Sequence, residues 1–560
     1  MYLSLACCMV GLFCIAFVSE SVKYNGDLKR IKQERVKLAE HSTKIFKRIR
    51  TKKNHMHMNK QGHGRNEKFY KNTIVHFDLK GAPPKVEYFL DLLQLVAKSG
   101  ATGILIEWED MFPWLGVLRT TRNTEAYTEK EVEKILAKAR SLDLDVIPLV
   151  QTFGHMEWML KYEEFRRFRE NDEYPQVICI GDQNAVNLVK EAIRQVATVH
   201  NKFGLKYFHI GADEAFEYGT CKATAALQKS MRSLDRVAIK HMATIAAYAK
   251  EITKGATILA WHDMLKNFEQ REVVKMGLDT LVQPVIWDYT ETLATVDPLQ
   301  YEAIVNTYGK IWMSSAFKGA DSPTSKYNRL KHYMENNVAW ILEERKYRRI
   351  YPSRHTQGII ITGWSRYDHM AGLCETWPVS EPSMVTNVQI ALIGAQSAYE
   401  ELDRADILQK ANANARQIMD CSLHDGLERC KFPGQQLYKA FQVYYKERLD
   451  WIKNDLADNY QIKGWLSPYN MRHNMTQNWY LRLIESTVTS YLQELNIITR
   501  DLKAEMNKLF SNNTVEEFFF ANVDPDLEKL HRYRDEIKRL RNFRVYGRRS
   551  FPIRRDYQGL

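Results

Sequence analysis

The chain has 560 residues, 80 Lys plus Arg against 68 Asp plus Glu for a formal net charge of +12, and is 45% hydrophobic and 11% aromatic. This composition excludes a wholly disordered or fibrous chain, and the length suits one large domain with appendages. The excess charge lies at the ends: residues 19–71 carry a net +11, residues 531–560 a net +7, and residues 72–530 a net −6, so a nucleic-acid groove in the body is not expected.

Residues 2–18 form a nearly apolar run of 17 residues with no charged side chain, which reads as a signal or membrane-anchor segment. No Lys or Arg precedes it. Ser19-Glu20-Ser21 offers a small-x-small cleavage site. The positive flank follows the run and would favour a cytoplasmic body if the run stayed as an anchor. Entry into the secretory pathway is the expectation, with the body in the lumen, in the Golgi or outside the cell. The sequons Asn474-Met475-Thr476 and Asn512-Asn513-Thr514 agree with that placement. Residues 19–71 lack apolar periodicity and read as a basic stem or linker. Three of the eight cysteines fall in the apolar run; of the rest, Cys421 and Cys430 are close enough for a local disulfide, and the pairing stays open.

From residue 72 short β-branched or aromatic runs alternate with helical stretches. Strands are expected at 73–77, 103–107, 145–150, 207–210, 257–261, 280–286, 310–313 and 358–362. Helices are expected at 86–99, 128–142, 184–203, 223–253, 299–308, 327–348 and 382–399, with a short stretch at 267–276. Such alternation implies parallel strands with right-handed crossovers, and eight units close a (β/α)8 TIM barrel over residues 72–400. A doubly wound open sheet is the competitor, but no Gly-rich phosphate loop follows the first strand. Beyond residue 400 the pattern turns helical at 401–421, 435–458, 476–509 and 524–544. Residues 401–560 are thus expected to form a helical C-terminal region with a basic tail, packed on the barrel.

Barrel enzymes place their chemistry after the strands. The residues there are Asp78 and Lys80; Glu107, Trp108, Glu109 and Asp110; Gln151 and His155; Gly211, Asp213 and Glu214; Trp261, His262 and Asp263; Trp287, Asp288 and Tyr289; and Trp364, Arg366 and Tyr367. Trp261, Trp287 and Trp364 each end a strand. Indoles stack on the C–H faces of sugar rings while carboxylates bind hydroxyls, so the set points to a carbohydrate pocket; the competing reading has these rings capping the barrel core. In His209-Ile210-Gly211-Ala212-Asp213-Glu214 a strand runs into a small-residue turn and an adjacent acid pair. Two neighbouring carboxylates repel, so at least one pKa should rise, as a general acid beside an electrostatic partner requires.

That segment resembles the His-x-Gly-[Gly/Ala]-Asp-Glu signature of family 20 glycoside hydrolases, the β-N-acetylhexosaminidases. Gln151-Thr152-Phe153-Gly154-His155 is similar to the family's Pro-Gly-His segment, with Phe153 in place of Pro. Ala260-Trp261-His262-Asp263 is similar to its Trp-x-Asp/Glu segment. Residues 75–85 and 106–113 look closer still to the hexosaminidase D branch and its invertebrate relatives. The resemblance covers residues 72–399 and implies substrate-assisted retention, in which the substrate's 2-acetamido oxygen is the nucleophile. By resemblance, Glu214 protonates the leaving oxygen, Asp213 orients the acetamido N–H, and Tyr289 bonds the acetamido oxygen. Trp261, Trp287 and Trp364 wall the pocket, and His155 and His209 orient carboxylates. Asp78, Lys80, Asp263 and Glu375 are further substrate-binding candidates, Glu375 toward O4 or O6. Lys80 stands where many members have an Arg, which leaves GlcNAc against GalNAc open.

No cofactor or metal is expected. The expected partners are a glycan ending in N-acetylhexosamine, a membrane through residues 2–18, and a second copy in a homodimer. Two alternatives stay open: a conventional two-carboxylate retaining glycosidase using Glu214 and Glu107, and a sugar-binding protein without catalysis.

Overall fold

The computed structural model describes residues 70–348, 355–396, 402–422 and 426–549; the apolar run 2–18, nearly all of the basic stem and the last residues of the basic tail lie outside them. Eight parallel strands close a barrel: β1 (Asn72–Asp78), β2 (Gly103–Glu107), β3 (Asp145–Leu149), β6 (Tyr207–His209), β7 (Thr257–Trp261), β8 (Val282–Trp287), β9 (Ile311–Lys318) and β10 (Thr356–Gly363), with β10 paired to β1. All eight expected strands are present. β1, β2, β9 and β10 are almost wholly buried, because a parallel sheet sheathed by helices hides both faces.

Side chains fill the barrel. Ile74, Leu105, Ile147, Leu149, Leu259, Trp261, Val285, Trp312 and Ile360 form one inner cluster, distinct from the larger core between sheet and helices. The register places Asp78 beside Glu107, Glu107 beside Leu149, and Leu149 beside His209, so the polar Asp78, Glu107 and His209 share one level with Leu149 of the filling.

The helices follow their caps. Glu129–Ser141 opens on a Thr128/Glu131 capping box, and Gln183–His200 on Asp182, whose carboxylate accepts from Asn184 N–H at 2.7 Å. The single helix expected at 223–253 is two, Lys222–Met231 and Leu234–Ile252. Arg232 turns to φ 58° between them, and the Ser233 hydroxyl caps the second. The eighth helix, Trp377–Gln396, starts earlier than expected and takes Pro382 inside it.

The loop after β3 carries a hairpin that sequence periodicity missed, β4 (Arg169–Asn171) with β5 (Tyr174–Ile178); three and five residues are too few to show alternation. Disulfides join Cys179 to Cys221 and Cys421 to Cys430. The C-terminal region is helical, led by the 32-residue helix Asn478–Leu509, with Asn512–Asn522 and Asp524–Arg541 after it. It packs on the rim at the C-terminal ends of the strands: Lys85 N–H donates to Leu509 O at 2.7 Å, and Arg366 makes a forked pair with Glu517 at 2.6 Å on both arms. Among the described residues no helix is long and apolar enough to cross a membrane.

Candidate active site

β6 delivers the acid pair through a strained turn. Gly211, Ala212 and Glu214 sit at φ 61°, 65° and 45°. For Ala and Glu this left-handed backbone costs about 1–3 kcal/mol each, so neighbours must hold it. They do so from four directions. His209 Nδ1 accepts from Gly211 N–H at 2.9 Å, and the Thr152 hydroxyl donates to Ile210 O at 2.6 Å. Asp263 Oδ2 accepts from Glu214 N–H at 2.8 Å, and the Gln176 amide of β5 donates to Glu214 O at 3.0 Å. A Cβ on Gly211 would collide with the Gln151 side chain, and one on Gly154 with the Asp213 carbonyl, so both positions require glycine. Farther along, Glu170 accepts from Thr220 N–H at 3.1 Å, and the Cys179–Cys221 bond ties the end of the turn to the segment after β5.

The two acids divide by exposure. Glu214 is a third exposed, whereas Asp213 is recessed with its Oδ1 buried and unpartnered. His155 Nε2 meets both, 3.2 Å from Glu214 Oε2 and 3.5 Å from Asp213 Oδ2. Burial above all pushes Asp213 up to about 8; the charges of Asp263 and Glu214 add to the rise, and His155 opposes it. The rise falls on Asp213, the expected electrostatic partner of the acid; desolvation leads and repulsion within the pair is secondary. Burial would lower His155, yet Asp213, Glu157 and Glu214 outweigh it and raise it to about 10.

Opposite the acids lies a buried charge network. Lys80 Nζ is 3.2 Å from Asp78 Oδ1, 3.2 Å from Glu107 Oε2 and 3.9 Å from Glu109 Oε1. Burial opposes its charge, and these three carboxylates override it, so its pKa is raised. Glu107, also near His76 and Gln151, stays below the usual carboxylate range because Lys80 and His76 outweigh its burial. Burial lifts Glu109 to about 7 against the pull of Lys80 and His369. Asp78 Oδ2 accepts from Ser365 N–H at 2.7 Å, which ties the end of β1 to the residues after β10. Glu109, Asp110 and His369 are close enough together to share a cation, but Lys80 and Lys161, the latter 2.7 Å from His369 Nε2, already bring positive charge there. Beyond this network a polar cleft of about 420 Å³ includes Asp110, Lys161, Arg366 and His369 from the barrel and Asn513 and Glu517 from the C-terminal region.

The aromatic wall is uneven. Trp261 is 1% exposed and belongs to the barrel filling, so it makes the floor; its Nε1 has no protein partner. Trp287 and Trp364 are half-buried and pack against that cluster. Trp287 stacks on Tyr289 with centroids 5.5 Å apart and donates its indole N–H to Asp263 Oδ1 at 3.1 Å. Burial raises the Tyr289 phenol, with Thr362, Trp364 and Ser314 bonding in the other direction and the Asp213 charge adding to the rise. Asp263 therefore binds the acid turn through one oxygen and the aromatic wall through the other.

The structure brings Asp213, Glu214, His155, Asp263, Trp287, Trp364 and Tyr289 together beyond the strand ends, and gives several other residues different roles. His209 orients the Gly211 backbone and packs tilted against Trp261, with ring centroids 4.4 Å apart, and it meets neither acid of the pair; burial keeps it neutral, at about 3. Asp78 and Lys80 are consumed by the network. Glu375 is buried, with Oε1 accepting from Tyr333 and Oε2 from Asn328, both at 2.7 Å, so its oxygens are already engaged. Sequence reasoning missed Gln176, Glu170 and the Cys179–Cys221 bond, which brace the turn from a hairpin with no periodic signal, and Glu517, which lies in the C-terminal region.

Residues 115–367 match the family described as glycosyl hydrolase family 20, catalytic domain. The chain is 33% identical over 470 residues to hexosaminidase D of Homo sapiens, covering 82% of this chain and 93% of that protein. It is 37% identical over 327 residues to hexosaminidase D of Bos taurus, covering 57% and 92%. Among solved structures, the family 20 β-N-acetylhexosaminidase of Streptomyces coelicolor A3(2) aligns at 14% identity with a TM-score of 0.44, over 64% of this chain and 72% of that one.

Proposed function

The chain belongs to glycosyl hydrolase family 20 and is a β-N-acetylhexosaminidase; we propose that it removes terminal GlcNAc or GalNAc from glycoconjugates, exo-acting, by substrate-assisted retaining hydrolysis. The observation that carries this reading is the unequal acid pair on one histidine: an accessible Glu214 beside a recessed Asp213 with a free buried oxygen. Glu214 donates its proton to the glycosidic oxygen as the bond to C1 breaks. The acetamido oxygen bonds to C1 and gives an oxazolinium ion. Asp213 accepts from the acetamido N–H and offsets its growing positive charge, and Tyr289 donates to the acetamido oxygen. Glu214, now a carboxylate, takes a proton from the water that attacks C1, and the bond from C1 to the acetamido oxygen breaks to restore the amide. Trp287 and Trp364 flank the ring over the Trp261 floor.

A two-carboxylate mechanism would need a second free carboxylate, and Glu107 is held by Lys80, at 3.2 Å, and by Gln151, at 3.3 Å. Two disulfides, Cys179–Cys221 and Cys421–Cys430, favour an oxidising compartment, so we place the body in the secretory lumen or outside the cell, with residues 2–18 as signal or anchor. The test is hydrolysis of paired aryl β-GlcNAc, β-GalNAc and β-glucoside substrates by wild type and Glu214→Gln. Turnover of the two N-acetylated sugars alone, lost in the variant, is expected. Equal turnover of the glucoside, or an unimpaired variant, would overturn the proposal.

A further inference from the structure

The C-terminal region carries a second concavity, far in sequence from the acid pair. It is a groove of about 440 Å³ lined by Asn478 and Arg482 at the start of helix Asn478–Leu509 and by Lys538, Arg541, Asn542 and Arg544 at the end of helix Asp524–Arg541. Four of its six lining residues are cations, and the volume is that of a small-ligand site. Little in the protein neutralises this charge. Arg541 pairs with Glu485, and Arg544 donates to the carbonyls of Arg541 and Phe543, whereas Arg482 and Lys538 are exposed and have no carboxylate partner among the described residues. The helix beginning at Asn478 has no side-chain cap, so the positive end of its dipole adds to the charge of the groove. Between Glu536 and Asp556 the sequence has eight Lys or Arg and no acid, so the charge continues along the chain from the groove.

We propose that this groove binds a sulfated polysaccharide chain, with the Arg and Lys side chains on sulfate groups and the exposed Asn542 amide on ring hydroxyls. The lining is cations and amides without an aromatic ring, whereas single-stranded nucleic acid is held by stacking platforms. The cations line a recess, whereas a membrane-surface element presents a continuous apolar face between its charges. The spaced guanidinium groups suit the forked recognition of tetrahedral oxyanions along a linear polymer. The site is independent of the hydrolytic reaction and does not rest on it.

The test uses the full chain and heparin as probe, with a 20-nucleotide thymidine strand and phosphatidylserine-containing vesicles as comparators. Wild type is expected to bind heparin in a salt-dependent way and more tightly than either comparator. Arg482→Ala/Lys538→Ala is expected to weaken heparin binding about tenfold near physiological salt and to lower the log–log salt slope by about two, with aryl glycoside hydrolysis unchanged. The control Lys229→Ala/Lys254→Ala removes the same charge from another exposed surface and is expected to leave binding within twofold. An unweakened groove variant, an equally weakened control, or tighter binding to DNA or vesicles than to heparin would each overturn the proposal.

Discussion

Asp263→Asn separates the positioning of the acid turn from its chemistry. Asp263 accepts two partly buried N–H groups, from Glu214 at 2.8 Å and from the Trp287 indole at 3.1 Å. Asparagine has one carbonyl oxygen, so its NH2 must face one of those donors and leave it partly buried and without its partner. That costs about 1–3 kcal/mol, and expressed in the barrier it lowers kcat/KM by roughly 5- to 150-fold. The substitution also removes a charge that helps raise Asp213 to about 8. The limb of the pH–rate profile governed by Asp213 should therefore move to lower pH. The assay is kcat and kcat/KM on an aryl N-acetyl-β-hexosaminide across pH, with Tm measured alongside. A variant with kcat/KM within twofold of wild type, an unmoved limb and an unchanged Tm would refute the bridging role.

The pH dependence of stability has a definite sign. Burial holds His200, His209 and His262 at about 3 and His241 at about 4, so the folded state binds fewer protons than the unfolded one up to about pH 6.5, and stability falls on acidification. Burial lifts Glu109 and Glu375 to about 7 and Asp213 to about 8, so the folded state binds more protons from about pH 4 upward and stability falls as pH rises. His155, raised to about 10, adds to the alkaline loss. Tm scanned against pH should peak or level off in the mildly acidic range and decline on both sides; a steady rise toward pH 9 would contradict these signs. Cys221→Ser opens a disulfide that spans 42 residues, which loop entropy values at about 4 kcal/mol. Tm should drop and kcat should fall more than KM rises; an unchanged Tm and kcat would count against the brace. Glu517→Ala strips the buried Arg366 guanidinium of its forked partner. Because Glu517 is partly exposed, the loss should be ~1–2 kcal/mol in stability, with a higher KM for extended substrates; unaltered values would show that the C-terminal region leaves the rim alone.

The barrel was legible because each strand is a compact apolar run between helical periods, and the eight runs at 72–363 fall where the alternation puts them. The acid pair was legible because a barrel exposes the residues just beyond its strand ends. The missing parts are held by contacts distant in sequence. Gln176 reaches the acid turn, and Glu170 the loop beyond it, from a hairpin too short to show a period, and Cys179 finds Cys221 only once the loop after β3 folds over the loop after β6. The histidine and lysine roles shifted for another reason. His209 and Lys80 have the residue types of ligands, but register buries them among His76, Glu107 and Asp78, where they satisfy neighbours instead of solvent. Trp261 likewise became floor because its strand position points into the barrel filling.

The central claim is that the substrate supplies its own nucleophile, and the most direct measurement is kcat/KM on aryl β-hexosaminides whose acetyl group carries zero, one, two or three fluorines. Each fluorine withdraws electrons from the amide oxygen. The account predicts a steep stepwise fall with fluorination, in wild type and at constant pH. A flat series would contradict it and assign the attack on C1 to a carboxylate of the protein.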